Sequence, residues 1–523
     1  MDILDQSPIF LYGPPASGKS TLGRRLAQAL DWSFADLDTL IETQAGLTVP
    51  EIFESEGEAG FRSRETRALQ EAAQIPGRVI ALGGGALLHE DNRRIAESAG
   101  RVVCLQASLE TILQRLTRGD GGRPLLNGDL QARLQALLEQ RADHYASFPL
   151  QIDASAGAPE QICPLVQARL GLFRVSGMGR PYDVRIARGL LDQLGGMLQA
   201  RGLHGPLALV SDENVAALHA GRALEALRSA GYRAELITIP AGEATKTIET
   251  VGRVWAGLLA AGLERRSTLV ALGGGVVGDL AGFAAATYLR GVSWVGVPTS
   301  LLAMVDASLG GKTGADLPQG KNLVGAFHPP ALVAIDPGLL DSLPEVELRN
   351  GLAEVVKHGV LGDAQLFEMV GRGWASVLAN LDEIVRRAVA VKVGVIGRDP
   401  YERGERAALN LGHTLGHAIE LASDYRVKHG EGVAIGMLAA ARLSERRGLA
   451  PAGLAAQVQA ALEGLGLPTA LPPGLDPAVL RRGMGVDKKR AGGQLRLVLP
   501  LEIGATRWNV PANDPDELIA CAG

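Results

Sequence analysis

Cysteine is scarce in this chain: three residues in 523, Cys104, Cys163 and Cys521, none of them in a CxxC pair. That excludes a disulfide framework and a cysteine-ligated zinc site, and it suits a reducing compartment. Aromatics are also few, 4%, and no stretch reaches the roughly 18 apolar residues that a membrane span requires. No basic run occurs and the net charge is −5, so neither a membrane nor a nucleic acid is expected as partner. The opening MDILDQSPIF lacks a basic segment followed by an apolar one, so no secretory signal is expected. A cytoplasmic enzyme is the resulting expectation. What is present agrees: 46% hydrophobic, 21% charged and 67 glycines describe a globular protein with many tight turns. The length exceeds one ordinary core, which predicts two or three folding units.

From residue 8 short apolar runs alternate with amphipathic segments. The runs 9–12, 79–85 and 102–107 read as strands buried on both faces of a parallel sheet, and 19–30 and 108–118 as covering helices. This rhythm fades after 158–170, and a stretch rich in Gly, Pro and Arg follows, so a linker is expected at 173–182 after a first unit at 1–172. A second α/β pattern occupies 183–345, with strands at 207–212, 234–240, 269–279 and 294–300. Long Ala/Leu-rich amphipathic stretches predict a mostly helical unit over 346–523. ALGGG occurs at 81–85 and 271–275, but the flanks differ, so two independent ligand-facing loops are expected rather than a repeat.

GPPASGKST at 13–21 matches GxxxxGK[ST] between a strand and a helix, the setting of a phosphate-binding loop. Its backbone N–H groups and the helix N-terminus can cradle phosphates, with Lys19 neutralising charge and Ser20 binding Mg²⁺. Asp36 and Asp38 form a DxD at the end of the next strand; alone, such a pair is more often a strand end or helix cap.

Taken in order with FRSRE (61–65), VIALGGG (79–85), GGRPLL (121–126) and RADHY (141–145), these motifs resemble the shikimate kinases over 7–170. The resemblance implies a P-loop kinase that binds ATP with Gly13, Ser17, Gly18, Lys19, Ser20, Thr21 and Arg123. Ser20 and Asp36 would hold Mg²⁺, and Asp38 would meet the shikimate hydroxyls. Arg62 and Arg141 would clamp its carboxylate beside Gly84, while Arg123 would close over the transferring phosphate. Fork donors for a carboxylate and an acceptor for a reactive hydroxyl are what a small polyol acid needs. Two departures occur: Ala16 stands where the family usually has Gly, and Ala81 where it commonly has Ser.

Further on, LNLGHTLGHAIE (409–420) places His413 and His417 four apart on one helix face. His429 follows, and Glu354 lies upstream in GLAEVVKHG. Three histidines and a carboxylate favour a catalytic zinc held by two His and one Glu. Spacing alone leaves open which two histidines ligate, because an HxxxH pair often supplies both. In the α/β unit before it, LVALGGG runs into VVGDLAG, a glycine turn that lets backbone approach a pyrophosphate. Arg290, Asp306, Lys312, Lys321 and Asn322 then crowd glycine-rich loops, a pattern suited to gripping an anion.

These segments, in this order, resemble 3-dehydroquinate synthase from about residue 178 onward. The resemblance implies a Rossmann-like NAD-binding half, a helical metal- and substrate-binding half, and a cleft between them. Glu354, His413 and His429 match its zinc ligands, a site where Co²⁺ can substitute, and His417 a catalytic histidine. NAD would be held by Asp212, Asn214, Glu243, Lys246, Gly274, Gly275, Asp279, Thr299, Ser300, Lys312 and Lys321. The substrate, 3-deoxy-D-arabino-heptulosonate 7-phosphate, would meet Asp306, Lys312, Asn322, Lys357, Lys392, Arg406, Asn410, His417 and Lys488. Arg290 would reach its phosphate from a neighbouring subunit, which implies a homodimer. Lys19, Asp38, Arg123, Lys357, Lys392, Arg406 and His417 are the residues expected to take part in chemistry. The alternative for the second enzyme is another NAD- and zinc-dependent sugar-phosphate cyclase that makes a cyclitol.

Overall fold

A computed structural model describes residues 6–119, 128–490, 495–512 and 514–523, with side chains for all of these except 118–119, 128–129 and 486–490. Arg123 therefore lies outside the described residues, as does the side chain of Lys488. The chain forms two compact units, Asp2–Arg174 and Val175–Gly523.

The first unit is built on five parallel strands, β1 (Ile9–Tyr12), β2 (Ser33–Asp36), β3 (Arg78–Ala81), β4 (Arg101–Gln106) and β5 (Leu150–Asp153), in the order β2-β3-β1-β4-β5. Central β1 is fully buried because it serves two cores. Phe10 and Tyr12 face the helix Val49–Ala73 through Phe61, Ala68 and Leu69, and Ile9 and Leu11 face Leu22, Leu26 and Leu30 of the helix Lys19–Leu30. Burial on both faces is why the run is continuously apolar rather than alternating. The phosphate loop, Asp36 and the glycines after β3 all lie at the carboxyl ends of neighbouring strands, where open α/β sheets place ligands.

β6 (Leu172–Val175) ends on the first residue of the second unit, which carries β7 (Tyr182–Ile186), β8 (His204–Asp212), β9 (Ala234–Ile239), β10 (Ser267–Gly273) and β11 (Ser293–Pro298). A two-stranded hairpin follows, β12 (Lys312–Leu317) and β13 (Gly320–Phe327), and then β14 (Leu332–Ile335). The main sheet runs β6-β7-β14-β11-β10-β8-β9, parallel from β7 to β9. The stretch 173–182, expected as a linker, contains the boundary between the units, and its two ends belong to the strands Leu172–Val175 and Tyr182–Ile186. Phe173, Val175, Met178 and Tyr182 within it are buried. Lys312, Lys321 and Asn322, expected in glycine-rich loops, sit on the β12–β13 hairpin instead, whose Thr313, Gly314 and Ala315 are buried.

From Glu345 the chain is largely helical until β15 (Leu495–Glu502) and β16 (Ala505–Ala512) form a second hairpin that the sequence did not announce. Glycines set the spacing of the helices His413–Ala422 and His429–Arg446. A Cβ at Gly436 would lie 2.0 Å from Gly412 O, and one at Gly416 would lie 3.0 Å from the backbone of Gly432. Backbone can meet backbone only because no side chains intervene. This contact brings the three histidines onto one site.

Candidate active sites

In the first unit, left-handed glycines shape the phosphate loop. Gly13 has φ +134°, and a Cβ there would fall 2.2 Å from Leu105 O; Gly18, at φ +97°, opens the helix. Ala16 adopts φ +54°, which explains the usual glycine. Lys19 Nζ donates to Gly13 O at 3.0 Å and Pro14 O at 2.8 Å. Burial lowers its pKa to about 8, against the pull of Asp38 and Asp36. Ser20 Oγ donates to Asp36 Oδ2 at 2.6 Å. Asp36 also caps the next helix through Asp38 N, so the same residue serves the cap and the hydroxyl beside the loop. Burial, then Asp36, raises the Asp38 carboxyl.

Arg141 and Tyr145 donate to Gly84 O at 3.0 and 2.9 Å. A Cβ at Gly85 would stand 3.6 Å from Arg62 Nη2 and 3.7 Å from Arg141 Nη1, so both guanidiniums converge on one point, as the carboxylate clamp requires. Two residues of this site escaped the sequence reading. Glu65 is 1% exposed and holds Arg62 at 2.7 Å; its place in FRSRE was visible, but its burial was not. Arg115 ties the loop down through Ser17 O at 2.8 Å and Ala154 O at 2.6 Å, a long-range contact without a sequence signal.

In the second unit, the helix Glu345–Gly362 presents Glu354, which is fully buried. Glu354 Oε1 lies 3.6 Å from His413 Nε2 and 3.4 Å from His429 Nε2. The outer nitrogens are both engaged: His413 Nδ1 faces Leu411 O at 3.2 Å, and His429 Nδ1 faces Glu420 Oε1 at 2.9 Å. Outer hydrogen bonds of this kind leave each Nε2 lone pair for a metal. The two nitrogens and one oxygen fit a catalytic zinc with a position left for substrate. Burial alone would lower His429, but Glu354 and Glu420 raise it to about 10. His417 packs edge-on to His413 with ring centroids 5.2 Å apart, and burial lowers it to about 4.

Buried cations surround this triad. Lys357 pairs with Glu354, and Lys392 pairs with Asp306 and donates to its carbonyl at 2.7 Å. Burial lowers Lys392 to about 8. It opposes ionisation of Asp306 too, yet Lys392 and Lys357 hold that carboxyl well below its usual range. Arg406 is 2% exposed and fixed by Pro400 O and Gly310 O.

The nucleotide side gathers at the carboxyl ends of β8, β10 and β11. Asp212 caps Asn214 and Val215; Thr299 N donates to Gly273 O at 3.0 Å; Ser300 Oγ stands 3.6 Å from a Cβ position on Gly274. A cleft lined by Gly274, Gly275, Pro298, Ala307 and Lys312 opens there. Lys246 joins Asp279 at 2.6 Å and Asn322 Oδ1 at 2.6 Å. Lys321 lies between Glu243 at 3.2 Å and Glu420 at 3.3 Å.

Glu402 and His358 were not foreseen either. Glu402 binds Lys312 and accepts from Asn410 Nδ2 at 3.2 Å. His358 is fully buried, and neither ring nitrogen is hydrogen-bonded among the described residues. Burial, then Lys357, lowers it to about 3. Arg290 stands apart, exposed, on a turn where it and Leu289 both have positive φ, 66° and 51°.

Residues 15–170 match the family model of shikimate kinase. Residues 236–350 and 351–490 match the N-terminal and C-terminal models of 3-dehydroquinate synthase. The 3-dehydroquinate synthase of Symbiobacterium thermophilum is 46% identical over 351 residues, covering 63% of this chain and 97% of that protein. That of Caulobacter vibrioides is 48% identical over 340 residues, with 63% and 92% covered. Among solved structures, 2-epi-5-epi-valiolone synthase of Streptomyces hygroscopicus, with NAD⁺ and Zn²⁺ bound, is similar at 31% identity and a TM-score of 0.61, covering 67% of this chain and 98% of that one. With both synthase models matched in its second unit and the kinase model in its first, the chain belongs to the 3-dehydroquinate synthase family and carries a shikimate kinase domain ahead of it.

Proposed function

We propose that the chain catalyses two separate reactions of aromatic biosynthesis. The first unit phosphorylates shikimate with ATP and Mg²⁺, and the second converts 3-deoxy-D-arabino-heptulosonate 7-phosphate to 3-dehydroquinate and phosphate. The observation that carries the second activity is the Glu354–His413–His429 triad with its outer nitrogens already committed. When bound there, zinc would polarise a substrate hydroxyl, and NAD⁺ would take up and return a hydride.

The protein's own residues supply the rest. Lys357, Lys392 and Arg406 are buried cations that can fix a carboxylate and hydroxyls. Lys312, Asn322 and Asn410 would hold the phosphate and relieve charge as it departs. His417, neutral at working pH, can move a proton beside it. Asp212, Asn214, Gly274, Gly275, Thr299 and Ser300 line the strand ends that suit a dinucleotide, and Glu243, Lys246, Asp279 and Lys321 frame the same side. In the kinase, Lys19 and the loop backbone would steady the phosphates. Ser20 and Asp36 would hold Mg²⁺, Asp38 would accept the substrate hydroxyl's hydrogen bond, and Arg62 and Arg141 would clamp the acid.

The cyclitol reading is less supported: identity is 46–48% to the dehydroquinate synthases above but 31% to the valiolone synthase and 27% to 2-deoxy-scyllo-inosose synthase. The proposal includes a homodimer through the synthase unit, with Arg290 serving the partner's phosphate. It also includes a cytoplasmic location, where Cys104, Cys163 and Cys521, all free and buried, stay reduced. No helix among the described residues is long and apolar enough to cross a membrane.

The test separates the two activities. Lys19→Ala should abolish shikimate phosphorylation and leave phosphate release from the heptulosonate substrate near the wild-type rate. A zinc chelator, with Mg²⁺ in excess, should do the reverse. Loss of both activities under either treatment, in folded protein, would refute two independent sites.

A further inference from the structure

Glu420 is a buried carboxylate whose contacts extend beyond His429. It lies on the helix His413–Ala422, 5% exposed, and its two oxygens face opposite ways. Oε1 accepts from His429 Nδ1 at 2.9 Å, and Oε2 accepts from Lys321 Nζ at 3.3 Å. Lys321 comes from β13 and also reaches Glu243 Oε1 at 3.2 Å, on the turn Glu243–Thr245 after β9. Tyr425, just past the histidine helix, places its ring 4.4 Å from the same ammonium. A continuous polar chain, Glu243–Lys321–Glu420–His429, therefore joins the α/β half to a metal ligand of the helical half.

We propose that Glu420 is a positioning residue for His429 and that, through Lys321, it couples nucleotide binding to metal binding. The inference rests on the assignment of Glu354, His413 and His429 to zinc and of Lys321 to the nucleotide. Glu420 fixes the ring so that Nε2, not Nδ1, faces Glu354, and its negative charge makes that nitrogen a stronger donor. In the free protein Lys321 takes part of that charge. An anionic nucleotide that draws Lys321 toward its phosphates leaves the whole carboxylate charge on His429. It also draws a cation away from the neighbourhood of Zn²⁺. Both effects have the same sign, so NAD⁺ should tighten zinc binding, and by reciprocity zinc should tighten NAD⁺ binding by the same factor.

The test needs no turnover. Zinc affinity of the full chain is measured by competition with a chromophoric chelator, without NAD⁺ and with NAD⁺ shown to saturate each variant. Wild type should bind zinc about fivefold or more tightly with NAD⁺, the low end of ordinary allosteric couplings. Glu420→Gln should weaken zinc roughly tenfold and lose the dependence on NAD⁺. Lys321→Met should bind zinc without NAD⁺ about as tightly as wild type does with NAD⁺, and should also lose the dependence. If Glu420→Gln does not fold, Lys321→Met decides alone. Wild-type zinc affinity that ignores NAD⁺, or a dependence that persists in either variant, overturns the inference. A wild type that binds no zinc would instead overturn the metal assignment beneath it.

Discussion

Lys19 Nζ donates to the carbonyl oxygen of Pro14 at 2.8 Å, so the lysine of the phosphate loop is held by the loop's own backbone. Its burial lowers the pKa to about 8, which gives ATP binding a pH dependence. Below pH 8 the ammonium is present and ready for phosphate. Above it, binding must first restore a proton, so the apparent KM for MgATP should be flat to about pH 7.5 and then rise by up to ~10-fold per pH unit. Lys19→Arg, which stays charged, should flatten this limb even if its rate is lower. A wild-type KM that is constant to pH 9.5 would show that the lysine is not the titrating group.

Ala16 is a point of backbone strain in that loop. Its φ of +54° costs an L-residue roughly 1 kcal/mol relative to glycine. Ala16→Gly should therefore stabilise the kinase unit by ~1 kcal/mol, equivalent to about 2–4 °C in its melting transition, with kcat/KM for shikimate within twofold of wild type. A lowered melting temperature would mean that the methyl makes a contact worth more than the strain.

Legibility differed between the two units for physical reasons. The strands at 9–12, 102–107 and 294–300 were plain because strands buried on both faces must be continuously apolar. The P-loop was plain because a strand–glycine loop–helix sequence has few other uses. The Gly/Pro/Arg composition of 173–182 marked the place where the two units divide, but it could not show that strands begin and end there, because Gly177 and Gly179 at positive φ look the same in a free linker as in a turn between strands. Glu65, Arg115, Glu402 and Glu420 were missed for a different reason. Each acts on a residue distant in sequence though adjacent in space, or through burial, and a carboxylate or guanidinium carries no sign of burial in its letter. Which histidines gather on Glu354 could not be read from spacing: HxxxH puts His413 and His417 on one face, whereas the glycine-lined helix contact also brings His429 to Glu354.

The last prediction concerns Arg290 and the proposed dimer. Leu289 and Arg290 both hold left-handed backbone, φ 51° and 66°, on an exposed turn, and two successive strained residues persist only where their surroundings dictate them. That geometry presents the guanidinium outward, as a group meant for another subunit would be. Chains carrying Arg290→Ala and chains carrying His429→Ala should each be nearly inactive in phosphate release as homodimers. In a mixed dimer, one site draws its metal ligands from the first chain and its arginine from the second, so it is whole; the other site carries both defects. Random equal mixing makes half the dimers mixed, so roughly a quarter of all sites should recover. Co-expression with two different tags, followed by tandem purification, isolates the mixed dimer and raises the expected recovery to about half the wild-type sites. Inactive mixed dimers would place Arg290 in the site of its own chain, because in cis one site lacks the arginine and the other lacks His429, whereas wild-type-like activity of the Arg290→Ala homodimer would remove it from the site altogether.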